Sequence, residues 1–145
     1  MKVEIRDTNF DPWHEARLYQ KQYLNQQGKY GATTVFIGTM RDMNEGDKVS
    51  SILLEHYPEM TQKHLEKIAQ QALDKFEILD VLILHRIGKV FPNDAMVCVV
   101  VWSAHRAAAY EANRLIMEDL KSKAPFWKKE SLEEQDRWVE KNTPG

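Results

Sequence analysis

Ala95-Met-Val-Cys-Val-Val-Val-Trp-Ser-Ala-His-Arg106 is the stretch of sequence that decides the fold. Its residues 97–102 are apolar without alternation, which predicts a strand buried on both faces. Ser103 follows directly and is a suitable N-cap for a helix that we expect over about residues 104–123. The stretch therefore predicts a fully buried strand that leads straight into a helix.

Outside this stretch, the pattern mixes strands and helices along the whole chain. Asp11-Pro12 predicts the N-cap and first residue of a helix that ends near Gly28, and Pro58 opens a second helix with apolar residues at helical spacing. Residues 39–48 form a polar loop with turn-forming residues at its centre. Further strands are predicted at residues 2–6, 32–37, 51–57 and 81–85. With no repeat, linker or low-complexity stretch, we predict one α+β domain over residues 1–145.

The composition excludes several classes of protein. A 145-residue chain that is 43% hydrophobic can bury a substantial core, and a net charge of -2 argues against a general nucleic-acid binder. No apolar run approaches the length of a membrane span, and the charged start is unlike a signal peptide, so a cytoplasmic setting is expected. The single cysteine, Cys98, excludes an internal disulfide. Its place in the buried strand makes it a poor nucleophile or sulfur carrier.

His105 and Arg106 lie at the predicted start of the helix after the buried strand. The free N–H groups and the dipole at a helix N-terminus favour an anion, whereas an arginine there has the unfavourable charge for helix stability alone. Arg106 therefore suggests a phosphate or carboxylate ligand, or else an ion pair with a nearby acidic residue. The other His-Arg pair, at 85 and 86, is interpreted as structural.

The segment Lys121-Ser-Lys-Ala-Pro-Phe-Trp-Lys-Lys-Glu130 concentrates positive charge around a break in the chain. Pro125 cannot continue a helix and disfavours helical geometry at Ala124, so the chain turns, with Phe126 and Trp127 as apolar anchors. Lysines from two elements then point to one place, which suggests an anionic ligand or an amine of altered pKa. The alternative is a solvated basic helix end, which the helix dipole also favours.

Two weaker features accompany the lysines. Arg41 follows the strand that Gly38 is expected to stop, where a ligand-binding or a merely solvated arginine would both be ordinary. On the helix over 104–123, the spacing predicts a core stripe and an opposite face that suits an interface or a pocket wall. The stripe contains Ala108, Ala112, Leu115, Ile116 and Leu120, and the opposite face contains Arg106, Tyr110, Met117 and Lys121. The histidines show no metal-ligand spacing, so neither a metal nor a cofactor is predicted.

Several motifs together resemble one family. They are Phe36-Ile-Gly-Thr-Met-Arg41, Asn44-Glu-Gly-Asp47, Leu54-Glu-His-Tyr57, His85-Arg-Ile-Gly88, Ser103-Ala-His-Arg106 and Pro125-Phe-Trp-Lys-Lys-Glu130. In this order they resemble the catalytic (large) subunit of molybdopterin synthase, over nearly the whole chain. The resemblance implies an α/β-hammerhead fold with a mixed sheet and packed helices. It also implies a homodimer at the centre of a heterotetramer, with a small ubiquitin-like subunit at each end.

The resemblance further implies a sulfurtransferase reaction and the residues that serve it. The small subunit brings sulfur as a C-terminal thiocarboxylate, and cyclic pyranopterin monophosphate becomes the dithiolene of molybdopterin. This chain is not expected to carry the sulfur itself, because Cys98 is buried and the sequence ends in Thr-Pro-Gly rather than Gly-Gly. Lys121 and Lys128 are the implied catalytic pair. The implied substrate-binding residues are Thr39, Met40, Arg41, His105, Arg106, Lys121, Lys128, Lys129 and Glu130.

A non-catalytic adaptor is the competing hypothesis. Such a subunit would bind anions and use its basic face to dock an acidic partner. Docking does not require three separated motifs to converge, so the sequence favours the enzyme. A phosphate-ester hydrolase is disfavoured because no metal site or base–nucleophile pair is recognisable.

Overall fold

The structure, a computed structural model, describes residues 1–24, 28–124, 126–132 and 136–139. The elements are β1 (Lys2–Arg6), α1 (Pro12–Tyr23), β2 (Ala32–Thr39), β3 (Met43–Asn44), β4 (Asp47–Lys48), β5 (Ser51–His56), α2 (Pro58–Lys75), β6 (Asp80–Arg86), β7 (Gly88–Val90), β8 (Ala95–Ser103), α3 (Arg106–Lys123), β9 (Phe126–Ser131) and β10 (Asp136–Trp138). This mixture confirms the α+β prediction. No helix within the described ranges is both long and apolar enough to cross a membrane.

The larger sheet has the strand order β1-β6-β8-β2. β1 runs parallel to β6, and the other neighbouring strands are antiparallel. β8 therefore lies in the interior of the sheet, and its central residues are buried on both faces, as predicted. One face packs against α2 and α3 around Val97, Val99 and Val101. The opposite face packs against α1 around Val100 and Trp102.

Helix starts at proline were predicted correctly. Pro12 follows Asp11, whose carboxylate accepts hydrogen bonds from the backbone N–H groups of Trp13 and His14 at 3.0 and 3.2 Å. Pro58 likewise opens α2, whose buried side chains include Leu65, Ile68, Ala69 and Ala72. The first helix was predicted to end near Gly28, but it ends at Tyr23, with Leu24 as its C-cap.

A second sheet, with the order β10-β9-β5-β7, holds elements that the sequence analysis missed. Residues 126–131 were predicted as a turn with anchors, but they form β9 and pair along the whole of β5. Gly88 begins the short strand β7. The loop 39–48 contains the hairpin of β3 and β4. These strands are too short, or too rich in charge, to show a strand period in the sequence.

The first strand after the helix α1 also extends further than predicted. β2 continues through Gly38 to Thr39, with a register shift between these two residues. A Cβ atom at Gly38 would lie 2.8 Å from Cγ1 of Val97. Glycine is therefore required here for close approach to β8, and it does not stop the strand.

Two predictions about α3 were wrong. Its N-cap is His105, not Ser103, although the Ser103 hydroxyl still accepts a hydrogen bond from the His105 N–H at 3.3 Å. Met117, assigned to the outer face, is buried in the core beside α2. Asn113 explains the error: it is buried and donates to the carbonyls of Thr34 and Val99 at 3.2 and 3.1 Å. The buried face of α3 thus contains a polar residue, Asn113, and a core stripe predicted from apolar residues alone was placed incorrectly.

Candidate active site

A cavity of about 680 Å³ lies where β2, β9 and the end of α3 meet. Its lining combines basic, acidic and apolar side chains from five regions of the chain. They are Phe36, Gly38, Thr39, Arg41, Met43, Asn44, Glu45, Ile52, Met96, Lys121, Lys128, Glu130 and Val139. A lining that combines apolar side chains with a few charged groups is typical of a small-molecule binding site.

Lys121 and Lys128 reach this cavity from different elements, as predicted. Lys121 lies on the last turn of α3, and Lys128 lies on β9, where it pairs with Leu54 of β5. The helix ends because Ala124 adopts an extended conformation, with φ -70° and ψ 136°. This conformation was expected for the residue before Pro125, which itself lies outside the described residues, as does the Trp127 side chain.

The two amines perturb each other. Burial lowers the pKa of Lys121 to about 8, with further contributions from the charge of Lys128 and a hydrogen bond to it. The pKa of Lys128 is also lowered, first by burial. The shared hydrogen bond acts in opposite directions on the two groups, since it favours a neutral Lys121 and a charged Lys128. At neutral pH the pair can thus supply one proton acceptor beside one fixed positive charge.

Phe126 anchors the chain between the two lysines. Its ring stacks on His85 of β6, with centroids 3.7 Å apart and the ring planes 12° apart. His85 is buried and its Nδ1 lies 2.8 Å from the carbonyl oxygen of Arg86. Burial, assisted by the nearby lysines, lowers the pKa of His85 to about 3, so the ring is neutral. The sequence suggested a structural role for His85 but did not place it beside the lysines.

Thr39 and Arg41 line the cavity, whereas Met40 between them does not. Met40 is only 2% exposed and packs in a small core with Val49, among others. The charge of Arg41 contributes to the lowered pKa of Lys128, which places the guanidinium and the amine in one electrostatic field. The prediction that residues after β2 contribute charge to the site agrees with this geometry.

Strand alternation separates the predicted residues of β9. Lys128 and Glu130 line the cavity, but Lys129 points to the other face of the strand. There its Nζ lies 3.5 Å from the Asp136 carboxylate and 5.8 Å from the centre of the Trp138 ring. The structure therefore does not bring the Lys129 side chain to the predicted site.

His105 and Arg106 are also remote from the cavity within one chain. Both are exposed at the N-terminal end of α3, and neither lines the cavity. Lys121 follows Arg106 by fifteen residues on the same helix, a separation of about 22 Å at 1.5 Å per residue. Within one chain, Arg106 and Lys121 could contact the same small ligand only with both side chains fully extended.

Cys98 is fully buried in β8, and burial raises the pKa of its thiol to about 12. A thiol in this state is neither accessible nor ionised at neutral pH, in agreement with the prediction that it is inert. Within the described residues, no group of three or more metal-ligating side chains comes together.

Comparison with known proteins gives one consistent result. Residues 7–123 match the MoaE protein family. A molybdopterin synthase catalytic subunit of Pasteurella multocida is 51% identical over 140 residues, which cover 97% of this chain and 90% of that protein. The crystal structure of molybdopterin synthase from Staphylococcus aureus is similar, with a TM-score of 0.83 and 31% identity. It covers 96% of this chain and 98% of that one.

A more distant structure shares the fold alone. It is a complex of subunits 1 and 2 of the molybdopterin-converting factor from Helicobacter pylori, with a TM-score of 0.79 and 21% identity. The match covers 95% of this chain and 90% of that chain.

Proposed function

This chain belongs to the MoaE protein family, and from that premise we propose that it is the catalytic subunit of a molybdopterin synthase and acts as a sulfurtransferase. Sulfur comes from the C-terminal thiocarboxylate of a small ubiquitin-like partner subunit. The acceptor is cyclic pyranopterin monophosphate, and the product is the dithiolene of molybdopterin. Because a dithiolene contains two sulfur atoms, two thiocarboxylate termini are consumed for each product.

The observation that carries this proposal is the lysine pair in the cavity. Lys121, with a pKa of about 8, is neutral in roughly a tenth of molecules at pH 7, far more often than an ordinary lysine. It can therefore take a proton during sulfur addition and ring opening. Lys128 stays charged more readily and stabilises negative charge that develops on thiolate or phosphate.

The cavity supports binding of an anionic pterin. Arg41 supplies a guanidinium that can hold phosphate by two parallel hydrogen bonds, and Thr39 adds a hydroxyl beside it. Phe36, Ile52 and Met96 provide the apolar surface that a ring system needs. Met40 and Lys129 were implied as binding residues, and we assign them an indirect role. Met40 supports the cavity by packing in the core beside it, and Lys129 supports it through its ion pair with Asp136 of β10.

His105 and Arg106 are assigned to the same site across a dimer. A two-fold axis makes residue i of one copy meet residue j of the other, and the reverse. With such an axis, the separation of about 22 Å along α3 no longer prevents a shared site, because one copy contributes Lys121 and the other contributes Arg106. Tyr110, which is 67% exposed on that face, suits such an interface. The proposed assembly is this homodimer with one small subunit at each end, in the cytoplasm.

The test is a reconstituted reaction. The purified chain is mixed with a thiocarboxylated small subunit and cyclic pyranopterin monophosphate, and dithiolene product is measured. Lys121→Ala and Lys128→Ala should abolish product while leaving folding and partner binding intact. A non-catalytic adaptor would bind the partner but leave the pterin unchanged, and that outcome would refute the proposal.

A further inference from the structure

Glu130 is a buried carboxylate with both oxygens already occupied. It is 2% exposed, although it borders the cavity. Its Oε1 accepts a hydrogen bond from Nε of Arg137 at 2.8 Å, and its Oε2 accepts one from Nδ2 of Asn44 at 2.9 Å. Such a carboxylate is held in place by its partners and is a poor candidate for direct contact with an anionic substrate. Its main partner, Arg137, has no role in the proposed reaction.

Arg137 also binds the hairpin of β3 and β4. Its Nη1 donates to the Asp47 carboxylate at 2.7 Å and lies 3.7 Å from that of Glu45. Its Nη2 donates to the backbone carbonyl of Asn44 at 2.9 Å. One guanidinium on β10 therefore binds β9 through Nε and the hairpin through Nη1 and Nη2. A lysine cannot reproduce this arrangement, because its single ammonium has no fixed fork of donors.

The hairpin depends on such contacts for its position. Each of its strands has two residues, and the turn between them places Glu45 and Gly46 at φ 53° and 81°. An isolated hairpin of this size is not stable in water. Its base is anchored where the Val49 N–H donates to the Asp42 carbonyl at 2.7 Å. Its tip is bound to the rest of the molecule by the contacts of Arg137 and by the hydrogen bond from the Asn44 side chain to Glu130.

The same hairpin forms one wall of the cavity. Met43, Asn44 and Glu45 line it, together with the lysines of α3 and β9. Loss of the contacts from Arg137 would leave the tip of this wall held, among the described residues, only by the Asn44–Glu130 hydrogen bond and so more mobile, while the elements that carry the lysines stay in place. The substrate would then have to order the wall when it binds, which weakens binding without changing the reacting groups.

We propose that Arg137 is a positioning residue, which holds the β3–β4 hairpin against Glu130 as a preformed wall of the substrate cavity. This inference rests on the proposed function, because its kinetic consequence concerns cyclic pyranopterin monophosphate. It predicts a specific pattern for Arg137→Gln. The KM for the pterin rises about tenfold, the equivalent of one lost charge-assisted hydrogen bond, and kcat stays within about threefold.

The experiment compares three variants of the full chain in complex with the thiocarboxylated small subunit. Arg137→Gln removes all the contacts, and Arg137→Lys recovers at most part of the affinity. The matched control is Arg17→Gln, which removes an exposed arginine on α1 that does not line the cavity. It should behave as wild type. Steady-state kinetics are combined with hydrogen exchange of the backbone amides of residues 43–48.

Hydrogen exchange separates this proposal from the proposed function. In Arg137→Gln the amides of 43–48 should exchange faster, while those of β6 and β8 stay protected. Unchanged exchange in the hairpin refutes the proposal, and so does an unchanged KM or a loss confined to kcat. If the wild-type protein does not convert the pterin, the proposed function is wrong. Hydrogen exchange alone then tests whether Arg137 positions the hairpin. If Arg137→Gln does not fold, Asp47→Asn removes one contact without unpairing Glu130 and should give a smaller change of the same kind.

Discussion

Lys121→Met is expected to stabilise the protein while abolishing its activity. Methionine has a similar length and no charge, so it removes the ammonium from its partly buried place at the end of α3. In the folded protein the charged form of Lys121 is disfavoured, first by burial and then by Lys128. In the unfolded chain the same amine is fully hydrated. Folding at neutral pH therefore carries an electrostatic cost that the substitution removes.

The size of this cost follows from the pKa. A fall from 10.5 to about 8, at roughly 1.4 kcal/mol per pKa unit, corresponds to about 3 kcal/mol. Because the side chain is only partly buried, solvent screening reduces this figure, and we expect a gain of about 1–3 kcal/mol in the free energy of unfolding. For a domain of this length that is a rise of roughly 3–10 °C in Tm.

The pH dependence has a definite sign. Below about pH 8 Lys121 is protonated in both states, and wild type bears the full cost. As pH rises from about 8 towards 10.5, the folded state loses its proton first and the cost disappears. The advantage of Lys121→Met over wild type should therefore be constant at low pH and shrink through this range.

Urea unfolding at several pH values, together with the sulfur-transfer assay, measures both effects. The matched control is Lys123→Met, two residues away on the same helix, where the lysine is 61% exposed and forms an ion pair with Asp119 at 3.1 Å. Its stability should change by less than about 1 kcal/mol in either direction. If Lys121→Met is less stable than wild type at pH 7, or remains active, the argument that a perturbed amine performs the chemistry is wrong.

Three further predictions concern binding, sulfur supply and assembly. Arg41→Ala should raise the KM for the pterin more than it lowers kcat. An unchanged substrate affinity would mean that Arg41 is a solvated loop residue with no role in binding. Cys98→Ala should retain sulfur transfer at a cost on the order of 1 kcal/mol in stability, and a folded but inactive variant would make this cysteine a sulfur carrier after all. An inactive Lys121→Ala protein mixed with an inactive Arg106→Ala protein should partly recover activity once subunits exchange, because a mixed dimer holds one intact site. Verified exchange without recovery would place the whole site in one chain.

The elements with long apolar runs or clear caps could be predicted from the sequence. Residues 97–102 lie in the interior of a sheet with both faces covered, as their unbroken apolar character indicated. Asp11 caps α1 and Pro58 opens α2, because both effects are local and do not depend on the rest of the fold. The start of α3 was misplaced for the complementary reason. Ser103 has a suitable capping side chain, whereas His105 occupies the N-cap position without a side-chain capping bond, so the path of the chain out of β8 sets the start of the helix.

The sequence indicated that two lysines converge, but it did not indicate how neighbouring side chains are oriented. The break before Pro125 does turn the chain, and Lys121 and Lys128 do share a cavity. The sequence could not show that residues 126–131 form a strand, so the alternation that separates Lys128 from Lys129 was not foreseen. Arg137 had no recognisable motif at all. Its partner Asp47 is distant in the sequence, and although Glu130 is only seven residues away, it faces Arg137 only because β9 and β10 pair with each other.

The sequence by itself determined the α+β class, the buried central strand, the inert cysteine and the identity of the two lysines that the cavity shares. These features depend on local apolar character, helix caps and side-chain chemistry, all of which are visible within short stretches of the sequence. The tertiary structure alone decided the pKa of Lys121, the neutral His85 beneath Phe126, the burial of Met117 and the contacts of Arg137. Each of these results from groups far apart in the chain that exclude water from one another, and burial and electrostatic interactions depend on distance in space rather than on separation along the sequence.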